Sequence, residues 1–228
     1  MLSAILLAAG SGKRLASAVS KPLVKIGGLP AIIYSLRALE KHPQVDEIIV
    51  VVNPRNRAAI SGLTAKFHFK KIKCFVLGGS LRQDSVLCGL KNTAPQSSWV
   101  LIHDCARPFI EQADISRVIR AAKRTGAALL AVQPKATIKR SGRLNLVEKT
   151  LERDRLWEAQ TPQVFRKALL LKAYQSNPAS KVTDDASLVE RLKAKVQLVP
   201  GKYENIKITT PDDLLLAGLI SKRFKYAI

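Results

Sequence analysis

Short apolar runs alternate along this chain with stretches that have helical spacing. Four apolar residues, Ile115, Val118, Ile119 and Ala122, share one face of such a helix. Nearly continuous apolar runs are typical of parallel strands that are buried on both faces. The alternation predicts an α/β fold, a Rossmann-like doubly wound and mostly parallel sheet. The predicted strands are Ala4–Leu7, Glu47–Val52, Cys74–Leu77, Trp99–Ile102, Ala127–Val132 and Val196–Val199.

One segment, at about 135–158, interrupts this alternation. The length of 228 residues fits a single domain, 1–228, from which this segment would project. Ser141-Gly142-Arg143 reads as a hairpin turn between two alternating strands. Because a lone hairpin has too little apolar area to be stable, we expect this arm to pack against a second copy of the chain. The sequence therefore predicts a homodimer.

The charge balance of the chain is strongly basic. Lys and Arg number 38 against 17 acidic residues, which gives a formal net charge of +21. Such a surplus favours anionic partners, either nucleic acid or phosphorylated small molecules, although a solvated basic surface without a dedicated partner is also compatible with it. Aromatic residues make up only 5% of the chain, a poor supply of platforms for stacking bases. We therefore expect small molecules rather than nucleic acid.

Membrane and metal-site signals are weak in this sequence. No apolar run approaches the roughly 20 residues that a membrane helix needs, and the first residues lack the basic region of a signal peptide. Three cysteines, Cys74, Cys88 and Cys105, are odd in number and lack the spacing of a metal site. We expect reduced thiols and a cytoplasmic protein without membrane contact.

A glycine-broken loop follows the first apolar run and is rich in cations. It reads Ala8-Ala9-Gly10-Ser11-Gly12-Lys13-Arg14, with Lys21 a little further on. Glycines let the backbone approach a polyphosphate closely, and a following helix N-terminus suits anions. The spacing differs from a Walker A loop, and the third glycine of a dinucleotide fingerprint is absent. An ordinary basic strand-to-helix turn remains the alternative.

Further polar segments are expected at or beyond the carboxyl ends of strands, where open α/β sheets bind ligands. Each carries backbone, hydroxyl or charged groups suited to a phosphorylated ligand. They are Gly78–Val86, His103–Phe109, Thr161-Pro162-Gln163 and Glu204–Thr209.

Four side chains in these segments are candidates for a binding or catalytic role. Asp104 is placed to hold Mg²⁺, which takes oxygen ligands and keeps several waters. Arg107 suits a phosphate or a buried ion pair. Lys207 alternates with apolar neighbours, so it points either at a phosphate or at solvent. Ser85 offers a hydroxyl; alternatively, the segment is a tight turn before a helix, with Asp84 or Ser85 as the cap.

Nucleophilic and zinc-dependent chemistry find no support in the motifs. The sequence has no Ser-His-Asp or Cys-His pattern, no HExxH and no CxxC. Backbone cradles, cations and one carboxylate suit phosphoryl or nucleotidyl transfer, in which positioning and charge neutralisation do most of the catalysis. A single histidine is more often structural than catalytic, so we read His103 as structural.

From Leu7 to about Leu215, the order of these motifs resembles the 2-C-methyl-D-erythritol 4-phosphate cytidylyltransferases of the non-mevalonate isoprenoid pathway. The resemblance implies transfer of CMP from CTP to methylerythritol phosphate, with Mg²⁺ as cofactor and pyrophosphate as the second product. The matching motifs are Ala8 to Arg14, Lys21-Pro22, Gly78-Gly79 through Arg82, Asp84-Ser85-Val86, His103 to Pro108, Thr161-Pro162-Gln163, Thr183-Asp184 with Ala186-Ser187, and Asn205-Ile206-Lys207.

The resemblance also implies roles for individual residues around the nucleotide. The reacting phosphates would meet the catalytic side chains Arg14, Lys21 and Lys207, and Asp104 would ligate Mg²⁺. Gly79 and Ser85 would help to recognise cytosine. The rest of the nucleotide would lie against small residues, namely Ala8, Ala9, Gly10, Gly12 and, near the ribose, Ala106.

The acceptor would bind between two subunits, by the same resemblance. Thr137 and Arg153, on the arm, would reach into the partner's site and bind methylerythritol phosphate. Arg107 and Thr183 would complete that pocket. The resemblance thus assigns a function to the projecting arm, because in a homodimer with exchanged arms each arm would complete the acceptor pocket of the partner subunit.

The chain departs from the family pattern at three positions. Cys105 stands where a small alanine is usual, Leu23 where an aromatic residue is frequent, and Ser80 where an acidic residue is common. None of these removes a charge that the reaction needs. Two alternatives stay open at this point: a ribitol 5-phosphate cytidylyltransferase, whose motifs overlap, and a basic RNA-binding protein with the same fold.

Overall fold

A seven-stranded sheet with helices on both faces forms the body of the protein. The computed structural model describes residues 1–10, 20–176 and 182–224. The strands are β1 (Leu2–Leu7), β2 (Lys25–Ile26), β3 (Leu29–Pro30), β4 (Glu47–Val52), β5 (Ile72–Leu77), β6 (Trp99–Asp104), β7 (Ala127–Val132), β8 (Ile138–Ser141), β9 (Val147–Leu151), β10 (Glu158–Arg166) and β11 (Val196–Pro200). The helices are α1 (Ala31–Lys41), α2 (Arg57–Lys66), α3 (Arg82–Lys91), α4 (Gln112–Thr125), α5 (Lys167–Ser176), α6 (Ala186–Glu190) and α7 (Pro211–Ser221).

The sheet has the mostly parallel topology that the sequence predicts. Its strand order is β11-β7-β10-β6-β1-β4-β5, and only β10 runs antiparallel to its neighbours. All six predicted strands are present, and four of them extend one or two residues further at an end. The predicted fold class is therefore confirmed.

Strand β10 was not predicted, and the placement of Thr161-Pro162-Gln163 beyond the carboxyl end of a strand was wrong. These residues lie inside β10, between β6 and β7. A proline argues against a central strand because it lacks the N–H that a ladder needs. Here the pairing with β7 breaks between Ala159 and Gln163, so Pro162 falls in a bulge where no ladder bond is required.

Apolar side chains fill both faces of the sheet. Leu6 and Leu101 belong to a core that also takes in α1 and α4. Ile5 and Ile102, their neighbours in sequence, belong to the opposite core with α3 and α5. Alternate residues of a strand point to opposite faces, so unbroken apolar runs are required here.

A third apolar cluster fixes the segment that follows β11. It joins α1, α7 and the short β2–β3 hairpin, and includes Tyr34, Phe109, Ile208 and Ala217. The backbone N–H of Ile208 donates to the carbonyl of Ala106 at 2.8 Å. Residues 206–208 were predicted as a β-like run, but the structure assigns them to no strand.

Asp213 secures the start of α7. Its Oδ2 accepts bonds from the backbone N–H groups of Thr209 and Thr210 at 2.7 and 2.8 Å, and from the Thr209 hydroxyl at 2.7 Å. Partial burial opposes the shift, but these donors lower the pKa of Asp213 to about 2.

Replacing Asp213 with alanine is expected to lower Tm by about 2–4 °C, the usual effect of losing a helix cap in a domain of this size. Because its folded-state pKa is depressed, the stabilisation is complete above the ordinary Asp value and is lost as pH falls towards about 2. Thermal unfolding of the wild type and the variant between pH 2 and 7 measures both effects. Asp212→Ala, in the same helical turn, is the control and should change Tm less; an equal loss in both variants would contradict the assigned cap.

The arm is a two-stranded hairpin of β8 and β9, as expected. The strands pair antiparallel, and Gly142 and Leu146 close the turn, a few residues beyond the predicted centre. At its tip Leu144, Leu146 and Val147 are 89%, 68% and 63% exposed.

Two other expectations concern membranes and thiols. In the described part of the chain, no helix is both long enough and apolar enough to cross a bilayer. Cys74, Cys88 and Cys105 are free thiols, as predicted.

Candidate active site

A cleft of about 600 Å³ opens at the carboxyl ends of β1, β5 and β6. It brings together nine of the residues selected from the sequence. Those nine are Ala8, Ala9, Gly10, Lys21, Gly79, Ser85, Asp104, Ala106 and Lys207. Two other selected residues, Gly12 and Arg14, lie outside the described residues.

The first wall of the cleft is the loop after β1. The side-chain amides of Asn56 and Asn53 donate to the carbonyls of Ala8 and Ala9 at 2.9 and 3.0 Å, and so fix its path. At Gly10 a Cβ atom would meet no heavy atom of residues 1–10, 20–176 and 182–224 within 4 Å. The described part of the chain therefore leaves room there for a ligand to approach the backbone.

The second wall is the turn between β5 and α3. A Cβ at Gly78 would lie 2.5 Å from Ser85 Oγ and 2.8 Å from Ala9 Cβ, so this turn packs directly on the first loop. The Asp84 carboxylate accepts a bond from the backbone N–H of Leu81 at 2.9 Å and so caps the start of α3. The two alternatives for this segment are therefore both true, because it caps the start of a helix and also lines the cleft.

Asp104 ends β6 on the cleft floor between two cations. Its Oδ1 accepts from Arg82 Nε and Nη2 at 3.1 and 3.0 Å, and its Oδ2 accepts from Lys207 Nζ at 2.7 Å. Burial alone would raise the pKa of Asp104, but Arg82 and Lys207 outweigh it and hold that pKa below its usual range. The carboxylate is therefore ionised at all ordinary pH values.

Lys207 faces the cleft rather than the solvated side of the sheet. The bulge in β10 anchors its segment, because the Asn205 side chain donates to Gln160 Oε1 at 3.1 Å and to the Thr161 carbonyl at 3.0 Å. Thr161 Oγ1 also accepts from the backbone N–H of Asp104 at 3.1 Å. The unexpected strand thus positions two charged residues of the site.

His103 has the structural role that the sequence predicts. Its Nε2 bonds to the carbonyl of Arg107 at 3.0 Å and its Nδ1 to Thr161 Oγ1 at 3.0 Å. Complete burial lowers its pKa to about 4, so the ring is neutral at physiological pH. Burial also raises the pKa of the Cys105 thiol, which excludes an activated thiolate.

Four predicted acceptor-binding residues do not line this cleft. The Arg107 guanidinium donates to the carbonyls of Asn205 and Ala159 at 2.8 and 3.1 Å. Thr137 and Thr183 are exposed. Arg153 donates to the carbonyl of Lys135 at 2.8 Å beside a separate cavity at the base of the arm.

Arg82 is the functional candidate that sequence reasoning missed. It lines the cleft and pairs with Asp104, yet in the sequence it stands out only as part of a motif. Its position directly after a glycine turn, in the first turn of a helix, was the available signal.

Comparison with known proteins decides between the families considered. The family model described as 2-C-methyl-D-erythritol 4-phosphate cytidylyltransferase matches residues 2–223. The chain belongs to this family. The predicted enzyme class, a cytidylyltransferase and hence a nucleotidyltransferase, is thereby confirmed.

Relatives of the family match over almost their whole length. The 2-C-methyl-D-erythritol 4-phosphate cytidylyltransferase of Geobacillus kaustophilus is 42% identical over 219 residues, 95% of each chain. That of Dehalococcoides mccartyi is 40% identical over 222 residues, 97% of this chain and 96% of the relative. A solved structure, 4-diphosphocytidyl-2C-methyl-D-erythritol synthase from Anaerococcus prevotii, matches with a TM-score of 0.87 and 35% identity, over 97% of this chain and 96% of that one.

Proposed function

We propose that the cleft transfers CMP from CTP to 2-C-methyl-D-erythritol 4-phosphate and releases pyrophosphate. A phosphate oxygen of the acceptor attacks the α-phosphorus of CTP, and the bond to the β-phosphate oxygen breaks. The observation that carries the proposal is the meeting of Lys21, Lys207 and Asp104 with the small-residue loop in one cleft. Membership of the family supplies the substrates.

Charge neutralisation is the main contribution of this chain. Lys21 and Lys207 place ammonium groups in the cleft, and we assign Arg14 the same task because it matches the family motif. Cations aimed at the charge that develops on the phosphorus usually contribute most to the rate of such a reaction. The acceptor phosphate is already mostly dianionic at neutral pH, so no side chain needs to remove a proton.

The residues present fit a Mg²⁺ ion held mainly by substrate. Among the described residues no group of three or more metal-ligating side chains occurs, and Asp104 is the carboxylate of the cleft lining. Mg²⁺ commonly takes one or two carboxylates and completes its shell with phosphates and water. Oδ2 of Asp104 accepts a bond from Lys207, and a carboxylate oxygen has capacity for two. Bound there, the ion would neutralise triphosphate charge.

The position of a radioactive label tests the reaction. CTP labelled at the α-phosphate should pass its label to a product that contains methylerythritol, and CTP labelled at the γ-phosphate should pass it to pyrophosphate. Recovery of the γ-label in the acceptor would show phosphoryl transfer instead and would overturn the proposal.

Gly10→Ala is expected to fold normally but to weaken CTP binding by about 10-fold or more. The new methyl group meets no atom of the residues that the structure describes, so we assign the loss to the backbone's close approach to the ligand. Calorimetric titration with CTP measures affinity, and Tm measures folding. Gly62→Ala, in α2, is the matched control, because its new methyl group also meets no atom of another described segment within 4 Å. Unchanged CTP affinity in Gly10→Ala would contradict the assigned role.

We further propose that the chain acts as a homodimer with exchanged arms. Exposed apolar residues at the arm tip, Leu144, Leu146 and Val147, support it because they gain by being covered. On this proposal Thr137 and Arg153 bind methylerythritol phosphate in the partner's site, where Arg107 and Thr183 belong to the receiving subunit.

Mixing two inactive variants tests the exchange. Lys21→Ala and Arg153→Ala should each be nearly inactive alone, but unfolded and refolded together they should regain about a quarter of wild-type activity. Half of the dimers would be hybrids, and each hybrid would hold one intact site. If every arm served its own subunit, mixing would restore nothing.

A further inference from the structure

Arg82 is fixed on two sides by carboxylates. Its Nε and Nη2 hold Oδ1 of Asp104, and its Nη1 donates to Oδ2 of Asp185 at 2.7 Å. Planar guanidinium geometry makes such a two-sided contact rigid. Burial alone would lower the pKa of Arg82, but Asp185 and Asp104 raise it, so the cation is permanent.

Asp185 is itself completely buried, and both of its carboxylate oxygens have partners. Its side chain is 0% exposed, and its Oδ1 accepts a 2.6 Å bond from the hydroxyl of Tyr174 on α5. Burial and this carboxylate raise the pKa of Tyr174, so the phenol stays protonated as a donor. A buried carboxylate is retained only when such partners compensate its desolvation.

The two cations on Asp104 differ in their freedom. The Arg82 side chain is 25% exposed and has a second carboxylate partner, whereas the Lys207 side chain is 40% exposed on a flexible stem. Lys207 is therefore the partner that can leave Asp104 for a phosphate. Arg82 would then remain as the counter-ion of Asp104.

We infer that Asp185 and Tyr174 are positioning residues which act through Arg82 to hold Asp104 at the cleft floor. The chain of contacts runs from α5, through the start of α6 and α3, to the end of β6. This inference rests on the role of Asp104 in the proposed function. It assigns a task to two residues that do not line the cleft.

A double-mutant cycle tests the chain of contacts. Asp185→Asn is expected to lower kcat by about 10- to 100-fold, the usual range for a group that orients a metal ligand. In an Asp104→Asn background the same change should lower kcat by less than about twofold, because the carboxylate that Asp185 helps to position is then absent. CTP affinity, titrated calorimetrically, should fall in Asp185→Asn with Mg²⁺ present and stay unchanged without it.

A milder variant and a control keep the test independent of folding. Tyr174→Phe removes only the 2.6 Å bond to Asp185 and should lower kcat by about 3- to 10-fold, again without effect when Asp104 is absent. Glu47→Gln disturbs a buried carboxylate at the opposite end of the sheet, bonded to Ser3 and Ala94, and should lower Tm without changing kcat.

Each result has one meaning. If the losses from Asp185→Asn and Asp104→Asn multiply, or if Asp185→Asn is as active as the wild type, the positioning role is wrong and the proposed function stands. If Asp104→Asn is fully active, the role of Asp104 in the proposed function is wrong, and the inference falls with it.

Discussion

Replacing Lys21 with alanine is expected to lower kcat by roughly 10²–10³-fold, by analogy with the loss of one oxyanion donor. The lysine lines the cleft and begins a short 3-10 turn, Lys21–Leu23, in which Pro22 is buried. The backbone N–H of Leu23 donates to the carbonyl of Ser20 at 2.8 Å. This turn fixes the backbone of Lys21 at the cleft, and on the proposed mechanism its ammonium group stabilises the charge that grows in the transition state.

Steady-state kinetics with saturating substrates measure this effect. Lys25→Ala removes an exposed lysine on β2, four residues further on, and should leave kcat unchanged within about twofold. Turnover of Lys21→Ala equal to that of the wild type would remove Lys21 from the mechanism.

Asp104→Asn is expected to lower kcat by at least about 10²-fold. The change keeps the size of the side chain but removes the negative charge that Arg82 and Lys207 share. Two cations are then left facing each other, and the oxygen ligand suited to Mg²⁺ is weakened. Asp46→Asn is the control for the loss of one carboxylate. The Asp46 carboxylate accepts a bond from the backbone N–H of Leu2, at the amino end of β1.

The pH dependence of the wild type gives a second test of Asp104. Because its folded-state pKa lies below the ordinary value, its charge is present throughout the neutral and mildly acidic range. We therefore expect no loss of kcat that is due to protonation of Asp104 until pH falls below the usual Asp pKa. The assignment would be contradicted if the wild type lost activity with an apparent pKa near 6 and this step were missing from the rate profile of Asp104→Asn.

The parallel part of the fold could be predicted because its physics is local. Strands buried on both faces must be apolar throughout, and Glu47–Val52 or Ala127–Val132 satisfy this without reference to any other segment. The place of Ala8, Ala9 and Gly10 at the cleft was predictable for a similar reason, since it follows from their position at the carboxyl end of one buried strand.

What the sequence could not show depends on contacts distant along the chain. Pro162 reads as a strand breaker, and only the bulge opposite β7 makes its place in a central strand acceptable. Arg82 and Asp185 are 103 residues apart, and their pairing exists only once α3 and α6 stand side by side. Asp185 has no local pattern that distinguishes it from an ordinary surface charge, and the local signal at Arg82 is limited to its place in the first turn of a helix, directly after a glycine turn.

The most direct test of the proposed reaction is release of pyrophosphate from CTP and Mg²⁺ with two acceptors offered separately. We predict release with 2-C-methyl-D-erythritol 4-phosphate and none above background with ribitol 5-phosphate. Release with ribitol 5-phosphate alone would keep the chemistry of the cleft and contradict the acceptor. Absence of release with both would contradict the proposed function itself.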